Sequence, residues 1–170
     1  MVSKLDFRAH PANYMHEVDF ARRLGMPFMN IHLPIDQVTR DLLLKAISRA
    51  EGGSVGRMVK ALSGIPEFKS AKTKIEVRMG GPGRRLGNWV LVFAAGTNGG
   101  YPVAKAYFEH GVDTVVYLHV DYDEVQRLKR ECEGNLVVLG HMAGDSIGIN
   151  VFLRELEKRG IVVEALGVIR

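Results

Sequence analysis

Residues 139–150, LGHMAGDSIGIN, decide the reading of the whole chain. The run NLVVL at 135–139 has the length and apolar content of a buried strand, and residues 146–159 carry helical spacing. His141 and Asp145 fall between them, four residues apart, where a strand hands over to a helix. In open α/β sheets ligands gather outside the carboxyl ends of strands, and the helix starts there offer unpaired N–H groups. Neutral imidazole and carboxylate are both good donors to Zn, Mn, Fe or Ni. The pattern admits a second reading, in which Asp145 or Ser146 caps the helix and His141 is an ordinary loop residue.

Outward from this stretch the chain alternates. Residues 89–95 (WVLVFAA) form an apolar run of strand length, suited to a sheet covered on both faces. The loop Gly96-Thr97-Asn98-Gly99-Gly100 follows, then a helix over 101–110, a strand over 113–119 and a helix over 122–133. After the strand at 135–139 and the helix at 146–159 comes a further apolar segment, 161–166, that reads as a strand. Four strands joined by three crossovers predict an α/β fold, with a largely parallel sheet and helices packed on it.

The earlier half is less regular. Residues 13–24 predict a helix, with Tyr14, Val18, Ala21 and Leu24 at three- and four-residue spacing and Gly25 as its stop. Residues 28–33 read as a strand ended by Pro34. His32 and Asp36 therefore repeat the His-x-x-x-Asp spacing of His141 and Asp145 at the end of a second predicted strand. A helix is expected over 37–50. Gly52-Gly53 breaks it and marks a soft division within what reads as a single domain, 1–170. Ser54 caps a short helix to Leu62, GIPEFKSAKTK reads as loop, and 74–79 alternates Ile75, Val77 and Met79 as a half-buried strand does.

At 170 residues the chain can bury a proper core, and 46% hydrophobic with 25% charged residues is ordinary soluble usage. No apolar run approaches the roughly 20 residues that span a bilayer, and MVSKLDFRAH lacks the apolar centre of a signal peptide. The expected setting is the cytoplasm, away from membranes. Cys132 is the one cysteine, so an internal disulfide is excluded and a metal site must draw on His, Asp and Glu. The net charge is +4, and residues 51–90 hold eight Lys/Arg against three Glu. Few aromatics interleave with them for base stacking, so a solvated face is the better reading and nucleic acid is not the expected partner.

Glycines in GTNGG let the backbone approach a ligand, and the helix start behind it favours an anion. It is neither a Walker loop nor G-x-G-x-x-G, and a tight strand-to-helix turn accounts for it equally well. His119 ends the strand at 113–119, followed by Asp121, Asp123 and Glu124, so imidazoles and acids collect at one sheet edge. Asp123 and Glu124 read as dipole partners of their own helix. No nucleophile elbow is present, and nothing suggests an activated Cys132.

GTNGGYPVAKAYFEHGVDTVVYLHVDYDEVQRLKRECEGNLVVLGHMAGD resembles the C-terminal part of the dinuclear-metal proteins known as GTP cyclohydrolase 1 type 2 homologues, the NGG-interacting-factor-like family. The family's Gly-His-x-x-x-Glu segment is matched by Gly140-His141-Met142-Ala143-Gly144-Asp145, and its His-Thr-x-x-Asp segment by His32 and Asp36. The resemblance covers most of 13–165. It implies that Asp36, His141 and Asp145 are metal ligands, with His32 lining the site, and that two adjacent divalent ions sit in a cleft of a ring-like hexamer. Asp145 is one methylene shorter than the family's Glu. The family's His-His-Pro pair has no counterpart here beyond His10-Pro11, so the chain reads as a shortened or partial member.

Three functions follow as expectations. The leading one is a divalent-metal-dependent hydrolase acting on a nucleotide-like or phosphorylated small molecule by metal-activated water, with the GTNGG amides on the anion. The second is a non-catalytic metal- or ligand-binding protein that works as a homo-oligomeric assembly. The third is a plain nucleotide-binding module using GTNGG and the basic middle segment.

Overall fold

The structure is a computed structural model that describes residues 16–93 and 99–170. They fall into two compact units, one reaching Ile31 and one starting at His32. In the first, α1 (His16–Arg23) places Glu17 and Asp19 in its first turn and Arg22 and Arg23 in its last, the order that suits a helix dipole. It lies within the predicted 13–24, of which 13–15 are outside the described residues. The strand expected at 28–33 does not form: residues 26–31 pair with no strand, and Phe28 and Met29 are exposed.

The second unit opens with α2 (His32–Ser48), which begins where that strand was expected to end. Pro34 is its third residue. In a first turn the backbone N–H has no helical partner and proline's fixed φ is already suitable, so Pro34 starts a helix here and does not end a strand. Next comes α3 (Val55–Leu62), capped as expected by Ser54, whose hydroxyl accepts from the Arg57 N–H at 3.2 Å. The segment read as loop contains α4 (Pro66–Ser70), again with proline in the first turn.

Then follow β1 (Glu76–Met79), β2 (Trp89–Val92), α5 (Gly100–Glu109), β3 (Thr114–Tyr117), α6 (Tyr122–Glu131), β4 (Asn135–Val138) and α7 (His141–Lys158). The four strands form one sheet in the order β1-β4-β3-β2. β2 and β3 are parallel in the register Trp89–Thr114 to Val92–Tyr117, and β3 and β4 are parallel from Thr114–Asn135 to Tyr117–Val138. β1 runs antiparallel along β4, with a bulge between Val77 and Met79. The sheet is thus mostly parallel with one antiparallel edge.

The expected strand at 161–166 is absent. A strand following α7 would pair with the free edge of β4, and β1 already occupies that edge. The segment folds back instead. The Ile161 N–H donates to the Leu156 carbonyl at 3.1 Å, Val162 is fully exposed, and the Ile169 carbonyl accepts from Asn150 Nδ2 at 2.7 Å.

Both sheet faces are covered. Val116, Val137, Leu91 and Leu139 point into a core shared with Leu43, Ile47, Met58, Leu62, Phe68 and Ile147 of α2, α3, α4 and α7. Val115, Tyr117 and Leu136 point the other way, against Tyr101, Ala104, Val125 and Leu128 of α5 and α6. This alternation is the pleat of a strand buried on both sides. All four residues of β3 are buried, as expected of its VVY run.

Candidate functional site

The carboxyl ends of β3 and β4 build the first half of the site. Their ladder continues beyond the strands, with Leu139 N–H donating to the Tyr117 carbonyl at 2.8 Å and Gly140 N–H to the Leu118 carbonyl at 2.9 Å. One residue further along each chain stand His119 and His141. Their rings lie face to face, with centroids 4.8 Å apart and planes 8° from parallel. His119 Nδ1 is buried and has no hydrogen-bond partner among the described residues.

His141 is the first residue of α7, not a loop residue before a helix at 146. Gly140, with φ +98°, makes the turn, so strand and helix meet without an intervening loop. His141 and Asp145 then lie one helical turn apart on one face, and His141 Nε2 is 3.3 Å from Asp145 Oδ2.

α2 repeats this at its own start, where His32 Nε2 is 3.4 Å from Asp36 Oδ2. The Asp36 side chain is 7% exposed, an unusual place for a carboxylate. Gly148 joins the two helices. A Cβ there would stand 2.5 Å from the Ile35 carbonyl oxygen, so only glycine lets α7 approach α2 this closely. Gly144 brings α7 close to the residue after β3, where a Cβ would meet the flexible end of Leu118, Cδ2, at 2.5 Å.

The result is an electrostatically connected group. The Asp145 carboxyl is raised above the usual range by burial, opposed by the charge of His141 and reinforced by that of Asp36, with smaller lowering influences from His32 and His119. His119, which the sequence already sets at one sheet edge with His141 and Asp145, meets them through the stack of its ring on that of His141. It stands at the corresponding end of the neighbouring parallel strand, a position the β3–β4 register makes adjacent to His141.

The donor types are those of a divalent-ion site, nitrogen and oxygen without sulfur. Among the described residues, no three His, Cys, Asp or Glu side chains are grouped as they would be around an ion. The donors stand as two pairs, each imidazole closed onto its own carboxylate. Holding an ion requires both pairs to open toward it.

The glycine loop is described only in part, since Gly96, Thr97 and Asn98 lie outside the described residues. Gly99 and Gly100 have φ near +65° and +61°, and a Cβ on Gly100 would come 2.6 Å from Glu124 Oε1. That carboxylate accepts from the Tyr101 N–H at 3.1 Å. Glu124 therefore stands in the first turn of its own helix, as expected, and also caps the helix behind the glycine loop, filling one of the amides expected to meet an anion. The Tyr117 hydroxyl donates to the Gly100 carbonyl at 2.9 Å, and burial, with the nearby Glu124 charge, pushes its pKa up. Cys132 is raised mainly by burial, consistent with an unactivated thiol.

The architecture is that of a mixed α/β protein with histidines and aspartates at one sheet edge. It matches a crystal structure of a NIF3 superfamily protein from Sphaerobacter thermophilus with a TM-score of 0.90 and 46% identity, over 95% of this chain and 60% of that one. This likeness supports the NIF3 superfamily for the chain. The chain spans about 60% of the length of that relative. Two structures of Staphylococcus aureus protein SA1388 align at 12% and 11% identity with TM-scores of 0.41 and 0.43, over 65% and 67% of this chain and 30% and 37% of theirs. No protein-family model and no curated protein matches the chain.

Proposed function

We propose that this chain contributes a divalent-cation site of a NIF3-superfamily protein, held by Asp36, His141 and Asp145 with His32 beside them, and that the site hydrolyses a nucleotide-like or phosphorylated small molecule. The observation that supports this reading is that two His-x-x-x-Asp turns, from distant parts of the chain, stand on α2 and α7, helices in close contact at Gly148, with the charges of Asp36 and His32 acting on Asp145. A buried carboxylate such as Asp36 is costly unless a cation or strong hydrogen bonds offset it.

A divalent ion there would act as a Lewis acid and bring a water toward ionisation near neutral pH. Asp36 and Asp145 would supply the negative charge that retains it, and His141 a neutral nitrogen donor. Glu124 already occupies the Tyr101 amide, so an anionic substrate group would meet the glycine-loop amides ahead of that residue.

The test is metal uptake by chelator-treated chain reloaded with Mn²⁺ or Zn²⁺, followed by turnover on a panel of phosphoesters and nucleotides. Uptake with raised melting temperature and metal-dependent turnover is expected. No uptake of any divalent ion, with an unchanged melting temperature, overturns the reading.

One observation favours the second reading, a non-catalytic homo-oligomeric assembly protein. Leu33, Val38 and Leu42 of α2 are 72%, 37% and 41% exposed, apolar surface that a neighbouring subunit would cover. Stable self-association without turnover would favour it over hydrolysis.

A further inference from the structure

The pair His119–His141 assigns a role to a residue outside the proposed ligand set. A histidine near an ion ordinarily uses a ring nitrogen, either on the metal or on a hydrogen bond that orients the ring. Among the described residues His119 does neither with Nδ1, which is buried without a hydrogen-bond partner there.

The stack points the same way. Imidazole nitrogens bind through lone pairs in the ring plane. Two rings 8° from parallel and 4.8 Å apart have separate planes, so their lone pairs do not converge on one point. The two rings as placed therefore do not share an ion. What His119 presents to His141 is its flat face.

We propose that His119 is a positioning residue whose ring face fixes the orientation of the His141 imidazole, holding Nε2 toward Asp145. The backbone supports this. Gly140 N–H on the Leu118 carbonyl ties together the two chain segments immediately before the two histidines, so the backbones that carry the rings are held side by side. Gly144 reinforces it by letting α7 settle against Leu118. The ring of His141 is half exposed and begins a helix, where nothing else described fixes its plane except the Asp145 contact at 3.3 Å. This inference rests on the proposed metal site for its functional consequence, but the stack itself does not.

Two variants of the full 170-residue chain separate the possibilities. His119→Phe keeps an aromatic face and removes both nitrogens. His119→Gln keeps a polar side chain and removes the ring. The first readout is the ring-proton chemical shifts of His141 in metal-free protein, which a stacked neighbour displaces upfield. The displacement is expected to persist in H119F and vanish in H119Q. The second is Mn²⁺ affinity, expected to fall about tenfold in H119Q and to stay within about twofold of the parent in H119F, the scale of lost orienting contacts around ligands. Unchanged His141 shifts in H119Q would overturn the stack. Equal loss of affinity in both variants would overturn the positioning role and make the nitrogens of His119 the functional groups. If the parent binds no Mn²⁺, the proposed metal site fails, and the shifts alone still decide whether His119 orients His141.

Discussion

Gly148 lies so close to Ile35 that any side chain at 148 would collide with the Ile35 carbonyl, 2.5 Å from the position of a Cβ. Backbone cannot yield as a flexible side chain can. Gly148→Ala is therefore expected to push α7 away from α2, at a cost of about 1–3 kcal/mol typical of overpacking. The same displacement separates Asp145 from Asp36. Denaturant unfolding should show the loss of stability, and Mn²⁺ titration should show a loss of uptake larger than the stability change accounts for. A variant as stable as the parent would show that the two helices are not held in this contact.

Asp36 gives the direct test of the site. Asp36→Asn retains size and hydrogen-bonding capacity but removes the negative charge from a side chain only 7% exposed. Metal uptake should be abolished, while the melting temperature without metal should hold or rise, because a buried carboxylate is replaced by a neutral group whose amide still reaches His32. A lower metal-free melting temperature would mean that the carboxylate serves the fold through His32 and not a cation.

The elements that positioned the site were unevenly legible. β3 and β4 were readable because VVY and LVV are short apolar runs buried on both faces, and the helices between them carry clear spacing. The starts of α2 and α7 were not. Both follow apolar residues that prolong a strand pattern, and in neither does a polar loop separate the two periods. Pro34 was an ambiguous sign, since it ends a strand and fits a helical first turn equally well. Residues 161–166 had a strand's composition, but whether β4 had a free edge depended on β1, over 80 residues earlier. The spacings of His32 to Asp36 and His141 to Asp145 were visible, whereas the approach of the two pairs depends on the contact at Gly148. The place of His119 at that sheet edge was visible too, but the stack of its ring on His141 needed the register of two parallel strands.

Glu131 makes the acid side of the stability profile predictable. It accepts from the Tyr101 hydroxyl and pairs with Arg127 at 2.9 Å and Lys105 at 3.1 Å. Hydrogen bonds from Tyr101, then Arg127, then Lys105 lower its pKa from 4.5 to about 2. A depressed carboxylate binds fewer protons in the folded state than in the unfolded chain, so its contribution is present above pH 4.5 and is lost as pH falls toward 2. Glu131→Gln should therefore lower the melting temperature at pH 7 and reduce its fall between those pH values. A parallel acid profile for parent and variant would show that the cluster is screened to no effect.

Asn150 ties the C-terminal segment to α7. Its Nδ2 donates to the Glu67 carboxylate at 2.8 Å and to the Ile169 carbonyl at 2.7 Å, and both Asn150 and Glu67 are buried. The Ile169 N–H in turn donates to Ser146 Oγ at 3.1 Å. Asn150→Ala leaves the Glu67 carboxylate without this donor and removes one of the bonds that hold the tail, beside those of the Ile169 N–H to Ser146 and of Arg170 to Glu157. The expected cost is about 1–3 kcal/mol, the penalty of an unsatisfied buried polar group. Hydrogen exchange distinguishes a loosened tail from general destabilisation. The Ile169 amide should lose protection well before the amides of β3, whose residues are buried throughout. If both lose protection together, Asn150 supports the core as a whole, and the C-terminal segment opens only when the rest of the unit does.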